Sequence, residues 1–187
     1  MTSMSLESIA RTISERREAF LSYNTLRLRE LIRYLSPKKF ELFHTIPFLL
    51  HVNLPEFPGY LDDSSCAHGI YMFNRSGFWR HALKQFRIHE DKVKKRQDIQ
   101  GIYLMGSAGT IGQTEHSDFD YWLITDKSTL TARQRSLLIQ KAAAVEKWSQ
   151  TKYNHKVKFF FLMLINCEKT ISPLSIRKVR GPLKKRC

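Results

Sequence analysis

Apolar residues recur at three-to-four spacing over residues 5–22, where Leu6, Ile9, Ala10, Ile13 and Phe20 alternate with Arg11, Glu15, Arg16, Arg17 and Glu18. That period predicts an amphipathic helix capped by Ser3 or Ser5. A second helix is predicted over about 24–35, with Leu28, Leu31, Ile32 and Leu35 on one side and Arg27, Arg29, Glu30 and Arg33 on the other. Ser36-Pro37 is a start signal for a third, which carries Phe40, Leu42 and Phe43 and is expected to end near Pro47. Residues 51–63 break the pattern: Pro55 and Pro58-Gly59 forbid a regular helix, and Tyr60-Leu61-Asp62-Asp63 reads as a turn whose acids cap it. A short strand is expected at Ile70-Tyr71-Met72-Phe73, then a helix over 77–95 with Phe78, Trp79, Leu83, Phe86 and Ile88 partly buried.

The period changes to two in residues 101–124. Ile102-Tyr103-Leu104-Met105 predicts a buried strand closed by the turn Gly106-Ser107. A polar loop with Gly109 and Gly112 leads to a second strand, Ser117-Asp118-Phe119-Asp120-Tyr121-Trp122-Leu123-Ile124. Alternation places Asp118 and Asp120 on one face and Phe119 and Tyr121 on the other. Two adjacent carboxylates at the start of a buried strand repel each other and resist desolvation. A hard divalent cation, Mg²⁺ or Mn²⁺, offsets both and prefers carboxylate and phosphate oxygens. Gly106 lets a phosphate approach the backbone, successive N–H groups in such a turn form an anion nest, and the Ser107 hydroxyl can donate to phosphate. The candidate nucleotide-binding residues are thus Gly106, Ser107, Gly109, Thr110, Gly112 and Ser117, with Asp118 and Asp120 as catalytic and metal-binding residues. A helix follows, capped by Thr129 or Thr131 and striped by Leu138, Ala142, Val145 and Trp148; residues 156–165 form a third strand.

Strand, Gly-Ser turn, polar loop and Asp-x-Asp strand together resemble the nucleotidyltransferase signature. The strand–loop–strand–helix–strand order resembles the polymerase-beta-like nucleotidyltransferase fold, an α/β architecture with a mixed sheet flanked by helices. Three blocks resemble class I adenylate cyclases more closely: MGSAGTIGQTEHSDFDYW, the segment Pro58-Gly59-Tyr60-Leu61-Asp62 with Gly69-Ile70-Tyr71-Met72-Phe73 after it, and Val157-Lys158-Phe159-Phe160-Phe161-Leu162-Met163. They stand in family order, and the resemblance runs from about residue 5 to about 163. It implies an amino-terminal piece of an enzyme several times longer, which binds ATP and converts it to cyclic AMP and pyrophosphate by a two-metal mechanism at Asp118 and Asp120. The expected organisation is an N-terminal helical segment (1–50), a nucleotidyltransferase-like core (51–165) and a basic tail (166–187).

By the same resemblance a third carboxylate should follow the Phe-Leu-Met run, at about position 164. Leu164 stands there, and the next acid is Glu168. Loss of acid and pattern together leads us to expect a truncated or out-of-frame end, with a divergent natural tail as the alternative. Leu164→Asp is then the change expected to be needed for turnover.

Charge adds less than its size suggests. The net charge is +14, from 31 Lys and Arg against 17 Asp and Glu, but residues 169–187 carry half of that excess and no acid. With two prolines and few large apolar side chains, that tail cannot bury enough surface to offset its ordering entropy. Nucleic acid is therefore not the expected partner, and regulatory partners of a longer protein are not visible in the sequence. No apolar run is long enough to span a membrane, and no secretory signal opens the chain. Three scattered cysteines, Cys66, Cys167 and Cys187, fit a reducing cytoplasm. Another nucleotidyltransferase acting on an acceptor hydroxyl remains open, as does an inactive fragment that binds nucleotide or nucleic acid.

Overall fold

The computed structural model describes residues 5–93 and 96–164; the basic tail, with Glu168, lies outside them. The first helix, α1 (Leu6–Tyr34), is capped by Ser5, whose hydroxyl accepts the Ser8 N–H at 3.2 Å. It is one helix where the hydrophobic pattern suggested two. The polar residues at the expected break bond inside the helix instead: Asn24 Nδ2 donates to Phe20 O at 2.7 Å and Thr25 Oγ1 to Leu21 O at 2.8 Å. Such i−4 back-bonding satisfies the side chains that would otherwise compete with the helix.

Helix α2 (Pro37–His51) starts on the Ser36 cap and runs through Pro47 rather than ending there. A proline inside a helix costs about 3 kcal/mol, but Leu42, Phe43, Ile46, Phe48, Leu49 and Leu50 are all buried by this helix. Burying that many large side chains at ~1.5–3 kcal/mol each outweighs the one lost hydrogen bond. The expected strand at 70–73 is only an isolated parallel bridge, Ile70 to Ile99. Met72 takes a left-handed conformation (φ 56°) and the chain turns into a short 3₁₀ segment, Phe73–Arg75. Helix α3 (Gly77–Phe86) is shorter than the pattern suggested, because Arg87 at φ 53° closes it by donating to Leu83 and Lys84 carbonyls.

Three strands form the sheet in the order β1-β2-β3: β1 (Ile99–Met105), β2 (Phe119–Asp126) and β3 (Val157–Leu164). β1 and β2 are antiparallel, β2 and β3 parallel. Parallel neighbours need a long crossover, which α4 (Ala132–Tyr153) provides, capped by a Thr131–Gln134 capping box. Leu138, Ala142 and Val145 of α4 are buried as their spacing required, and Trp148 is partly buried beside them. The architecture is α/β with a mixed sheet. Phe119, Tyr121 and Leu123 face the core, with Phe43 of α2 edge-on to Phe119 at 5.9 Å. The opposite face stays open: Trp122 is 38% and Phe160 50% exposed.

The Pro58-Gly59 turn docks on α4. Gly59 lies at φ 82°, and a Cβ there would come within 2.9 Å of Val145 Cγ2. The buried Lys141 ammonium donates to Gly59 O at 3.0 Å, and burial lowers its pKa to about 8. Asp63 caps its turn, as expected, by accepting the Ser65 N–H at 2.7 Å, and Arg133 braces it at 2.7 Å; Asp62 instead accepts the Tyr60 hydroxyl at 2.9 Å.

Two core histidines make stability depend on pH. Burial, then the charge of His81, lowers His44 from 6.5 to about 4; burial, then His68, lowers His51 from 6.5 to about 4. Between those values the unfolded chain binds protons that the folded chain refuses, so stability falls as pH drops from 6.5 toward 4. Urea midpoints measured at pH 7.5 and 5 should therefore differ clearly, with the acid value lower. Equal midpoints would contradict the burial of these rings.

Candidate functional site

The glycine loop connects β1 to β2. Gly106 sits at φ 73°, and a Cβ placed there would lie 3.5 Å from Asp120 Oδ2, so turn and carboxylate are immediate neighbours. Gly109, at φ 72°, packs so closely under α1 that a Cβ would be 2.3 Å from the Arg27 carbonyl oxygen. Arg27 in turn donates through Nη2 to Gly106 O (3.1 Å) and Ala108 O (2.8 Å). The N-terminal helical segment is thus part of the site's frame.

Within the loop the predicted residues are tied to one another. Ser107 Oγ donates to Ser117 Oγ at 2.9 Å, and Ser117 Oγ accepts the Thr114 N–H at 2.8 Å. Thr110 Oγ1 donates to Ser107 O at 2.7 Å and accepts the Gly112 N–H at 3.2 Å. The Gly109 N–H donates to Gln113 Oε1 at 2.7 Å. Of the groups expected to form an anion nest, the amides of Gly109 and Gly112 are therefore already engaged. Those of Ser107 and Ala108 have no acceptor among the described residues.

Asp118 and Asp120 flank the start of β2 on the side away from Phe119 and Tyr121. Asp118 Oδ2 is held by Lys156 Nζ at 2.6 Å. That hydrogen bond and the Asp118 charge push the lysine's pKa up, with a smaller contribution from Asp120. Lys156 immediately precedes β3, and the Phe119 N–H donates to its carbonyl at 3.1 Å, so the parallel pairing itself brings the two residues together. A lysine ammonium thus stands where the sequence pattern calls for a metal ion.

A cleft of about 1080 Å³ opens beside Asp118 and Lys156, with Ser117, Thr110, Lys39 and His155 also on its wall; Asp120, Gly106, Ser107, Gly109 and Gly112 are not on it. Lys39, from α2, donates to the Glu115 carbonyl. His155 is buried against the ring of Phe119 (4.4 Å), its Nε2 has no partner among the described residues, and burial followed by repulsion from Lys39 lowers its pKa. Arg27, Lys39, His155 and Lys156 were not singled out in the sequence. Lys156 carries a signal in retrospect: it precedes the third strand of a crossover unit, where parallel pairing must bring it to the start of β2.

Among the described residues no third carboxylate joins Asp118 and Asp120, and its expected place is displaced. In the parallel register Asp120 pairs with Lys158, whereas Leu164 pairs with Asp126 at the far end of the strand. Leu164 is six residues beyond Lys158, roughly 20 Å at ~3.3 Å per residue. Position 164 is therefore not the position beside the carboxylates; 158 is, and it holds a lysine whose ammonium contacts Glu146 Oε2 at 3.4 Å. Among the described residues no three His, Cys, Asp or Glu side chains group to hold a metal. Asp118 and Asp120 alone fit a hard cation that brings phosphate and water ligands of its own.

The family described as "Adenylate cyclase NT domain" matches residues 12–173. The adenylate cyclases of Shigella flexneri and Escherichia coli K12 are each 30% identical over 156 residues, 81% of this chain and 18% of theirs. That of Yersinia pestis is 29% identical over the same length. The chain thus spans about a fifth of the relatives it matches. No solved structure matches it. No described helix is long and apolar enough to cross a membrane. With most of its length matched, glycine loop and Asp-x-Asp strand included, the chain belongs to the adenylate cyclase N-terminal domain family.

Proposed function

We propose that the Asp118–Asp120 pair and the Gly106 turn, at the edge of the cleft, bind the triphosphate of ATP as its Mg²⁺ or Mn²⁺ complex, and that the chain is the nucleotide-holding part of an adenylate cyclase, with a polymerase-beta-like arrangement of its sheet. The observation that carries this reading is the Asp118–Asp120 pair set against the positive-φ Gly106 turn, with a cation already on Asp118. Bound Mg²⁺ would supply charge neutralisation at the triphosphate oxygens. The chain's own residues do the rest. Asp118 and Asp120 hold the cation, the free amides of Ser107 and Ala108 face phosphate oxygens, and Ser107 exchanges its bond to Ser117 for one to phosphate. Lys39 and Lys156 add positive charge at the cleft wall. The reaction that an adenylate cyclase would carry out on such a complex is attack of the ribose 3′-hydroxyl on the α-phosphorus, with the hydroxyl proton passing to a base and pyrophosphate leaving. The compartment that fits this substrate and the scattered cysteines is a reducing cytoplasm.

A second reading, nucleotide binding without turnover, is favoured by one observation: Lys158 occupies the register position where a third acid would stand. The two readings share the cation site.

In the ligand-free chain Lys156 competes with the metal for Asp118. Lys156→Met should therefore raise the affinity for Mn²⁺ alone several-fold, read from the loss of the free-ion EPR signal. The ion pair is largely solvent-exposed and contributes little to stability, so the thermal midpoint should barely move. Unchanged or weaker Mn²⁺ binding in the variant would count against Asp118 as a ligand.

A further inference from the structure

A second cavity, of about 300 Å³, lies between α1 and the β1–β2 hairpin, on the sheet face opposite Asp120. Its wall is mostly apolar and aromatic, with Phe20, Leu28, Phe43, Phe78 and Leu104 prominent. That size and lining match sites that take small organic molecules, which pair an apolar wall with a few placed polar groups. Two such groups are present. Tyr121 lines the cavity and is 2% exposed, and its buried hydroxyl has no hydrogen-bond partner among the described residues. The ring is fixed by stacking on Phe159 at 5.7 Å and by the edge of Phe119 at 6.3 Å, so the hydroxyl cannot swing away to find one. Arg27 also lines the cavity, and its buried Nε has no partner among the described residues while its Nη2 holds the Gly106 and Ala108 carbonyls.

A buried hydroxyl without a partner is unfavourable, and phenylalanine would fill the same space without the penalty. Apolar cavities of modest size bind benzene-like molecules readily. We propose that this cavity is a binding site for a small, largely apolar molecule, about one aromatic ring in size, that presents a hydrogen-bond acceptor to Tyr121 Oη. The cavity adjoins the carboxylate cleft across Leu31 and Ala108, and the proposal stands whether or not the ATP reading holds. Arg27 forms part of the cavity wall and grips the glycine turn, so occupancy is sensed at Gly106 and Ala108.

The test uses the full chain and two probes of equal size, acetophenone, which has an acceptor, and ethylbenzene, which lacks one. Titrations followed by amide NMR should show saturable binding, tighter for acetophenone, with shifts at Gly106, Ala108 and Gly109. Tyr121→Phe should keep or raise the thermal midpoint, weaken acetophenone by about 3–10-fold and leave ethylbenzene unchanged. Leu28→Trp, which fills the cavity, should abolish binding of both. The proposal is overturned if neither probe saturates at millimolar concentration, or if Tyr121→Phe leaves acetophenone affinity intact. It is equally overturned if Tyr121→Phe lowers the midpoint, since the hydroxyl would then already be satisfied. Absence of shifts at the glycine turn would remove the coupling through Arg27.

Discussion

The 187-residue chain should make little or no cyclic AMP from Mg-ATP, even where it binds the nucleotide. On the proposed reading, binding draws on the Gly106 turn and the Asp118/Asp120 pair, which lie side by side. Turnover asks more, because the attacking hydroxyl must lose its proton near neutral pH. Positioned acid–base help is typically worth ~10²–10⁴-fold, and the position that would offer it beside Asp120 holds Lys158. An ammonium there cannot accept the proton and repels a second cation. Lys158→Asp is therefore the substitution expected to recover activity, if the chain can support any, whereas Leu164→Asp, opposite Asp126, should leave it unchanged. Cyclic AMP measured by immunoassay, with the two variants side by side, checks both statements. Robust synthesis by the unaltered chain would show that an acid elsewhere completes the site.

The largest effect on stability is expected at Gly69. It sits at φ 85°, a conformation that costs an L-residue about 1–2 kcal/mol. A Cβ would also stand 2.0 Å from the Arg96 carbonyl oxygen and 2.4 Å from its carbon, backbone atoms that cannot rotate aside. Gly69 N–H and O are both engaged, to Leu50 O at 3.1 Å and from Ile99 N at 2.9 Å, so relieving the clash pulls α2 away from β1. Gly69→Ala should lose more than about 3 kcal/mol, strain and overpacking combined. Gly77→Ala is the control: no atom lies within 4 Å of its Cβ position, and alanine suits the first turn of α3. Denaturant midpoints of the two variants should separate widely. Similar midpoints would mean that the Gly69–Arg96 approach is not that close.

What could be read directly from the chain was what depends on local period. The alternation around Asp118 and Asp120 marked β2 and assigned its faces, and the Leu138, Ala142 and Val145 stripe marked α4, because those patterns are set by pleat and helix pitch alone. Helix ends were less legible. Pro47 is a local stop signal overruled by the burial of Phe48, Leu49 and Leu50, and Asn24 and Thr25 look like breakers until their back-bonds are seen. The left-handed turn at Met72 carries no glycine to announce it.

In the site, the carboxylates and the glycine turn were legible because they adjoin in sequence. Lys156, Lys39 and Arg27 were not, since each reaches the loop or Asp118 from another element. The register of β3 was the most consequential unknown. The family resemblance put the missing acid at about 164, whereas parallel pairing places 158 beside Asp120.

The central claim, a metal–triphosphate site at Asp118 and Asp120, is tested most directly by titration calorimetry of ATP into the full chain with Mg²⁺ and with chelator. ATP should bind more tightly with Mg²⁺, and the double variant Asp118→Asn, Asp120→Asn should erase that difference while remaining folded, since it removes like-charge repulsion. Equal affinity with and without Mg²⁺ in the unaltered chain, or a Mg²⁺ dependence that survives in the double variant, would contradict the assignment.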